Sequence, residues 1–175
     1  SKKHSLIPII TIVCLLSVTS QAQLGIPSAV SETKSSEIEE DVLGRNTPKG
    51  MMDGFLNAVK NENYEKAALF LDLSHFPQEN IKQKGKELSR GLQKLLDQSG
   101  SVTISKLSTS PNGYPHDGLA IKLDIIGSIK IGSERVNILA EKVYDSENGN
   151  VWKISSKTVD LIPEALNTLS IGYID

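Results

Sequence analysis

The hydrophobic positions in the first half of the chain recur at the spacing of an α-helix. Four of them stand at i, i+3, i+4 and i+7 and share one helical face: Met52, Phe55, Leu56 and Val59. Thr47 precedes this pattern as a natural N-cap. Pro48 comes directly after Thr47, at the first helical position, where the missing N–H of a proline costs no hydrogen bond. The pattern therefore predicts a helix that begins at Pro48.

A second, shorter stretch repeats the same spacing. The polar turn "NEN" ends the first helix, and Asn63 is placed to cap the next one. The apolar positions of this second helix are Tyr64, Ala67, Ala68 and Leu71. Two short helices joined by a tight polar turn predict a helical hairpin.

A third helix is expected from Pro77 or Glu79 to Asp97. Its apolar stripe comprises Ile81, Leu88, Leu92, Leu95 and Leu96. Gly85 and Gly91 weaken this helix by about 1 kcal/mol each relative to alanine. We therefore expect it to depend on packing against something flat, and the sheet that follows in the sequence is the candidate.

From Val102 onward the hydrophobic period changes from 3.6 to 2, which is typical of β-strands. Four segments carry this period: "VTISKL", "LAIKLDIIGSIKI", "RVNILAEKVY" and "VWKIS". In the second segment we expect Lys122 and Asp124 on the face opposite to an apolar set, which is Leu119, Ile121, Leu123 and Ile125.

Glycines punctuate this strand region. Gly127 interrupts the second segment, where a bulge or bend would turn the strand. Asn148 and Gly149 form a strong hairpin signal between the last two segments, because both residue types tolerate positive φ. An antiparallel meander is the expected result.

The order of elements is three helices, about four strands and a terminal helix. This order predicts the α+β class, with a helical layer packed on a curved antiparallel sheet of about four strands. The arrangement resembles an NTF2-like cone, whose sheet curls around the helices. That resemblance concerns architecture and by itself says little about function.

The stretch "VWKISSKTVDLIPEAL" contains the only tryptophan of the chain. We expect Trp152 and Ile154 to fasten the last strand to the helical layer. Ser155 or Ser156 is expected to cap the helix that follows. Pro163 is expected to begin a helical turn, as at a first helical position. The residues expected to hold this helix against the core are Val159, Ile162 and Leu166.

The N-terminal segment has the layout of a secretory signal peptide. Two lysines precede the apolar run "LIPIITIVCLLSVT", and small residues follow it, so we expect cleavage after Ala22. An uncleaved membrane anchor is the alternative, although the run is shorter than the ~18 residues that a spanning helix needs. Cleavage would also remove Cys14, the only cysteine, and with it thiol chemistry.

Four regions are therefore expected. Residues 1–22 form the signal peptide, residues 23–42 a flexible acidic leader, residues 43–169 an α+β domain, and residues 170–175 an exit. The leader is polar, so ordering it would bury little apolar surface in return for the lost entropy. Solvation is a sufficient explanation for its acidic run, which is Glu37, Glu39, Glu40 and Asp41.

The residues give little indication of catalysis, of a metal or of a cofactor, and we expect none of the three. The net charge of −2 does not suggest a nucleic-acid surface. His75 follows Asp72, and His116 precedes Asp117, but neither pair has metal-motif spacing and no third partner is evident. The "SSK" at residues 155–157 is better explained as a strand end and helix cap than as a Ser/Lys dyad. A general acid in an NTF2-like pocket stays open, because scattered residues build such pockets.

Several phrases, taken in order, resemble a known family. They are "LGRNTPKGMMDGFLNAV", "NYEKAALFLDL", "LQKLLD", "KLSTSPNG", "HDGLAIKLDIIGSI", "VNILAEKV" and "VWKISSKTVDLIPEAL". Together they are similar to the N-terminal periplasmic domain of a branch of MscS-like small-conductance mechanosensitive ion channels. The likeness covers residues 43–166. Family members commonly carry an acidic residue where this chain has Lys157, and a more acidic strand where it has "VTISKL".

The resemblance implies a non-enzymatic periplasmic domain at the inner membrane, in a channel that opens under membrane tension and relieves osmotic shock. It implies two partners, the transmembrane region of the parent protein and further copies in a homo-oligomer, expected to be a heptamer. It also singles out structural and coupling candidates, which include the joint between the last strand and the membrane region. These candidates are Thr47, Pro48, Trp152, Ser155, Thr158, Ile162, Pro163 and Glu164.

Two other functions stay open at this point. A stand-alone secreted NTF2-like protein would bind a small ligand in the concavity of its sheet, and a deep apolar pocket would favour it. A scaffold for periplasmic proteins or envelope components would show exposed apolar patches on one face. The ending "SIGYID" lacks the character of a frayed polar tail, so we expect an excised domain of a channel, with a stand-alone relative as the alternative.

Overall fold

A computed structural model describes residues 41–115 and 118–171. Its four α-helices are α1 (Pro48–Lys60), α2 (Tyr64–Ala68), α3 (Ile81–Ser99) and α4 (Ser156–Ile171). Its three strands are β1 (Leu123–Ile131), β2 (Glu134–Asp145) and β3 (Gly149–Ile154). The helices pack on a three-stranded antiparallel open sheet with the strand order β1-β2-β3, so the α+β class is confirmed.

The start of α1 is the one that the sequence predicts. Thr47 has an extended backbone, and its side-chain oxygen accepts the N–H of Gly50 at 3.0 Å. Pro48 is the first helical residue. Asn63 caps α2 in the same way, accepting the N–H of Lys66 at 3.0 Å. Both predicted helix starts are confirmed. They were predictable because a cap bonds only to residues next to it in the sequence.

Helix α3 begins at Ile81, after a 3₁₀ turn at Gln78–Asn80, and ends at Ser99. Its two glycines face helices, not a flat sheet as we expected. A Cβ on Gly85 would lie 2.7 Å from the Cβ of Ala68 in α2. A Cβ on Gly91 would lie 2.8 Å from Cγ2 of Ile162 in α4. The missing side chains therefore let α2 and α4 approach α3 closely.

The predicted strand "VTISKL" is wrong. This stretch forms the 3₁₀ helix Ile104–Lys106, and only Ser101 just before it pairs with β1, through an antiparallel bridge to Ser128. Continued antiparallel pairing would bring residues 102 and 103 opposite Gly127 and its neighbour, where β1 changes register between Ile125 and Gly127. The backbone of β1 is irregular there, and the chain beyond Ser101 makes local i→i+3 bonds instead, from Lys106 to Thr103 and from Leu107 to Ile104.

The bulge in β1 is confirmed, but the buried face is the opposite of the expected one. Asp124 is only 2% exposed, whereas Ile121 is 79% exposed and Ile125 is 40% exposed. Ile126, the extra residue of the bulge, and Ile129 beyond it are buried in the core. The period of 2 shows which residues share a face, but the helices decide which face is covered.

The hairpin between β2 and β3 is confirmed at Asn148-Gly149, with Gly149 at φ 71°. The carboxylate of Asp145 organises this turn, because its Oδ1 accepts the backbone N–H groups of Glu147 at 3.1 Å and Asn148 at 3.2 Å. Local polar bonds of this kind hold tight turns in place.

The core lies between the helices and the inner face of the sheet. A row of paired residues crosses all three strands there, from Asp124 through Ala140 to Ile154. The far edge of β3 is also covered, since Asp72 donates its N–H to the carbonyl of Ile154 at 2.9 Å. The largest fully buried side chains are Trp152, Phe55, Phe70, Met51, Met52, Leu71, Leu92, Leu95, Ile126, Ile129, Ile138 and Ile154.

Pro163 does not begin a helical turn, contrary to the expectation. It lies inside α4, seven residues after the first helical residue, Ser156. A proline there cannot donate to the carbonyl of Val159, which costs a helix interior about 3 kcal/mol. The helix nevertheless continues, because buried residues on both sides of the proline hold one face on the core: Val159, Ile162 and Ala165.

Candidate functional site

The junction between β3 and α4 is held by two hydroxyl groups. Ser155, fully buried, caps α4 by accepting the N–H of Thr158 on its Oγ at 3.3 Å. The Oγ1 of Thr158 accepts the backbone N–H of Leu139 at 2.9 Å and lies 3.4 Å from the carbonyl oxygen of the same residue. Ser155 also donates its own N–H to that carbonyl at 2.8 Å. We call Ser155, Thr158 and Leu139 the α4 joint.

The α4 joint closes an open part of the sheet edge. β3 pairs with β2 only as far as Ala140, so Leu139 has no β3 partner. Thr158 takes the place of the missing strand for the N–H of that residue, while its carbonyl accepts the N–H of Ser155. The first turn of α4 is thereby bonded directly to β2.

Trp152 ties β3 to two loops of the structure. Its side chain is fully buried, and its indole N–H donates to the carbonyl of Pro111 at 3.0 Å. Its backbone N–H donates to the carbonyl of Arg45 at 2.7 Å. Arg45 lies two residues before the cap of α1, so this bond connects the entry of the first helix to the last strand.

The other predicted joint residues divide into buried and exposed ones. Ile162 is buried against α3 near Gly91, so it does hold α4 to the core. Pro163 and Glu164 are exposed on α4. Thr47 and Pro48 shape the start of α1, where Lys49 donates its N–H to the carbonyl of Ser108 at 3.0 Å. Of the eight candidates, Ser155, Thr158 and Ile162 hold α4 in place, whereas Trp152 holds β3 to two loops.

A buried ion pair was missed at the sequence level. The guanidinium of Arg45 donates to Asp41 through NH2 at 2.9 Å and Nε at 3.1 Å, and the backbone N–H of Arg45 donates to the same carboxylate at 2.7 Å. Its NH1 donates to the carbonyl of Leu69 at 3.0 Å and lies 3.8 Å from Asp145. The expectation that Asp41 is simply solvated is wrong, because it is only 4% exposed.

The available signal for this pair was the spacing of four residues between Asp41 and Arg45 in "DVLGR". Spacing alone does not distinguish a buried pair from a solvated one. Gly44, at φ 76°, makes the turn that brings the two side chains together. Segments far away in the sequence complete the cluster, because the guanidinium of Arg45 also contacts the carbonyl of Leu69 and the carboxylate of Asp145 at the end of β2.

The electrostatics of this cluster favour ionised carboxylates. Burial alone raises the pKa of Asp41, but the hydrogen bonds and charge of Arg45 outweigh it and hold the pKa below its ordinary value. The pKa of Asp145 falls to about 2, mainly through its hydrogen bond from Asn148, with the N–H of Glu147 and the charge of Lys153 adding to it against the opposing effect of burial. Both carboxylates are charged at neutral pH.

A cleft of about 1100 Å³ opens beside the ion pair. It lies between residues 41–45, the α2 region and the β2–β3 hairpin. Three of its lining residues are exposed apolar side chains, Val42, Leu69 and Tyr144. Its charged lining is mixed in sign, so the cleft itself does not single out a ligand class.

The carboxylate beside His75 is not the one that the sequence suggested. His75 does not use Asp72, whose Oδ1 instead accepts the N–H of Ser74 at 3.1 Å. The Nε2 of His75 lies 2.8 Å from Oδ1 of Asp160 at an exposed position on α4. His116 and Asp117 lie outside the described residues. Within residues 41–115 and 118–171, no group of three metal-binding side chains is assembled.

Two further observations bear on identity. In the part of the chain that the structure describes, no helix combines the length and the apolar character needed to cross a bilayer. The predicted signal peptide, residues 23–40 of the predicted acidic leader and exit residues 172–175 lie outside the described residues. Comparison with protein-family models, with curated proteins and with solved structures finds no match in any of the three. The likeness to the mechanosensitive channel domain therefore stays a prediction from its motifs.

Proposed function

We propose that this chain is an extracytoplasmic, non-enzymatic module of an MscS-like mechanosensitive channel. In that setting it assembles around the periplasmic mouth of an oligomeric pore, expected to be a heptamer, or modulates gating. The ordered motifs of residues 43–166 motivate the proposal. The observation that carries it is the α4 joint, which bonds the last described helix to the sheet.

The α4 joint suits the transmission of force. To move relative to β2, α4 must break the bonds between Thr158 and Leu139 and withdraw Ile162 from its place beside Gly91. A load applied to the far end of α4 is therefore passed to the sheet and not absorbed at a flexible hinge. Such a module biases gating only if its contacts differ between the closed and open channel.

The alternative is a stand-alone secreted NTF2-like protein that binds a small ligand in the concavity of its sheet. The side chains on the inner face of the sheet argue against this. Trp152, Ile126 and Ile138 are at most 1% exposed and belong to one continuous core with the helices. The cleft of about 1100 Å³ opens next to the ion pair of Arg45, where its lining comes from residues 41–45 and the hairpin. The observed fold is a three-stranded open sheet covered by helices, and the NTF2-like cone remains an expectation from the sequence.

The proposal is tested in the parent channel, which requires an open reading frame with hydrophobic spans downstream of the Asp175 codon. Residues 43–169 are replaced by a flexible linker, and the tension threshold is recorded in excised membrane patches. We expect the threshold to change, and Thr158→Val to shift it in the same direction. Thr168→Val, in the same helix, is the matched control. A stop codon after Asp175, or an unchanged threshold in the deletion, contradicts the gating role.

A further inference from the structure

Helix α3 carries a line of cations along one side. Lys82, Lys86, Arg90 and Lys94 follow one another at intervals of four residues, so each lies about 6 Å further along the helix axis. Lys82, Arg90 and Lys94 are exposed, and the side chain of Lys86 is 36% exposed. We call these four residues the basic stripe, and it extends over about 18 Å.

The basic stripe concentrates positive charge in an acidic chain. α3 contains five basic and two acidic residues, a net charge of +3, whereas the whole chain has a net charge of −2. Acidic groups also lie beside the stripe, and one of them is Glu87 of α3, three residues before Arg90. Glu65 of α2 binds Lys86 at 2.7 Å, and Asp97 lines a shallow depression with Arg90 and Lys94. The four cations of the stripe outnumber these three carboxylates.

Arg90 is held in place by its surroundings. Its guanidinium lies 4.5 Å from the ring centre of Tyr64, and the hydroxyl of Tyr64 donates to Gln93 at 2.9 Å. A stacked guanidinium keeps its outward N–H groups available for oxygen acceptors. The stripe therefore combines one oriented cation with flexible lysines on both sides.

We propose that the basic stripe of α3 binds the surface of an anionic phospholipid bilayer. The inference rests on the proposed function only in placing the domain near a membrane. The length of the stripe favours an extended anionic surface, because no single small anion contacts cations spread over about 18 Å. Juxtamembrane lysines and arginines are attracted to such surfaces and lose this attraction in salt.

The composition of the stripe distinguishes a bilayer from a protein partner. Protein interfaces depend on buried aromatic or aliphatic anchors. None of the exposed large hydrophobic residues within the described part of the chain lies on α3; they are Val42, Leu69, Tyr114, Ile121, Ile125, Tyr144 and Ile171. Charged headgroups need no such anchor, so the stripe fits them better than it fits an acidic protein.

The test measures partitioning of the full chain, purified from the exported fraction, into two kinds of vesicle. One kind contains 30% phosphatidylglycerol in phosphatidylcholine, and the other contains phosphatidylcholine alone. The readout is the ratio of the two partition coefficients, compared between variants, because residues 1–22, if still attached, contribute equally to the ratio of every variant. We expect native binding to favour the anionic vesicles and to weaken as salt is added.

The stripe variant is Lys82→Gln/Lys86→Gln/Arg90→Gln/Lys94→Gln. Each cation near the surface that is not in an ion pair raises the partition coefficient on anionic vesicles about fivefold. Losing the three such cations should therefore lower the ratio by about 100-fold, and the paired Lys86 adds little to this. The matched control, Lys106→Gln/Lys122→Gln/Lys130→Gln/Lys157→Gln, removes four charges from exposed lysines elsewhere. It should lower the ratio by no more than about threefold, because salt screens the attraction between the vesicle and charges that lie far from the stripe.

Folding is checked by thermal unfolding of both variants. If the stripe variant is destabilised, Lys82→Gln/Lys94→Gln replaces it, with an expected loss of about 25-fold. Equal losses in stripe and control variants, no native preference for anionic vesicles, or equal binding to a soluble polyaspartate peptide would each overturn the inference. None of these outcomes bears on the channel proposal, which the tension threshold decides separately.

Discussion

The hydroxyl of Thr158 satisfies the backbone of Leu139, accepting its N–H at 2.9 Å while lying 3.4 Å from its carbonyl oxygen. Thr158 is 2% exposed, so water does not replace these contacts. A helix residue thus does for β2 what a neighbouring strand would otherwise do. This relationship makes the first turn of α4 part of the sheet, and it is directly open to mutation.

Thr158→Val keeps the shape of the side chain and removes the hydroxyl. We expect the free energy of unfolding to fall by about 2 to 3 kcal/mol, because the buried N–H of Leu139 loses its acceptor. Thr168→Val is the control in the same helix, since the Oγ1 of Thr168 donates only to the carbonyl of Glu164, at 3.1 Å. It should cost less than about 0.5 kcal/mol. Urea unfolding followed by circular dichroism measures both free energies. Equal losses would mean that the hydroxyl of Thr158 stabilises the fold no more than that of Thr168.

The buried pair of Asp41 and Arg45 should be strongly coupled. Arg45→Met alone leaves a buried carboxylate without its guanidinium and should cost about 3 to 5 kcal/mol. Adding Asp41→Leu removes that charge and should restore part of the loss. The double-mutant cycle should therefore give a coupling free energy of at least about 2 kcal/mol.

The pair Lys49 and Asp53 provides the comparison for that cycle. It has the same spacing of four residues and a similar N–O distance, 3.1 Å against 2.9 Å, but both side chains are at least a third exposed. A cycle with Lys49→Met and Asp53→Leu should give less than about 0.5 kcal/mol. Similar values from the two cycles would mean that burial does not set the strength of the Arg45 pair.

Asp145 should make the fold sensitive to acid. Its pKa is 3.8 in the ordinary state and about 2 in the fold, so its contribution to stability is complete above pH 3.8 and is lost as the pH falls toward 2. The loss should be about 1 to 2 kcal/mol, from about 1.4 kcal/mol per pKa unit reduced for partial exposure. Asp145→Asn should flatten the pH dependence of the unfolding free energy in this window.

Asp53→Asn is the control for the acid experiment, since Asp53 is an exposed carboxylate on α1. Urea titrations at several pH values from 2 to 5 supply the measurement. The lowered pKa of Asp41 acts in the same direction, so Asp145→Asn should leave a residual slope. A slope identical to that of the native chain would rule out Asp145 as a source of acid sensitivity.

Ser89 offers a stabilising substitution. Its side chain is fully buried in α3, and its Oγ has no hydrogen-bond partner among the described residues. Ser89→Ala removes a buried polar group and improves helix propensity, so the unfolding free energy should rise by about 1 kcal/mol. Ser99→Ala in the same helix should give no gain, because that hydroxyl donates to the carbonyl of Leu95 at 3.2 Å. Thermal unfolding compares the two, and a loss in Ser89→Ala would point to a partner for the hydroxyl.

The two proposals about membranes concern different parts of the molecule. The α4 joint concerns how a load reaches the sheet, and the basic stripe concerns which surface α3 faces. The two helices concerned meet at Gly91, where α4 packs on α3. Binding of α3 to lipid would therefore act on the helix against which α4 rests.

Features set by neighbouring residues were predictable from the sequence. Thr47 and Asn63 cap their helices, and Asn148-Gly149 turns the last hairpin, as expected. The bulge before Gly127 was also predicted. In each case the bonds or dihedral angles involve a few consecutive residues, so local sequence contains the physical cause.

Features that depend on distant segments were decided only by the tertiary structure. The buried face of β1 was misjudged because the position of the helices, and not the alternation itself, determines which side excludes water. Pro163 stays inside α4 because burial of Val159 and Ile162 outweighs a local preference. Asp41 is an ordinary acidic residue in the sequence, yet it is buried against Arg45, whose guanidinium also contacts Leu69 and Asp145. Burial is a property of the assembled chain, so a single sequence specifies where helices and turns begin but not which polar groups the fold removes from water.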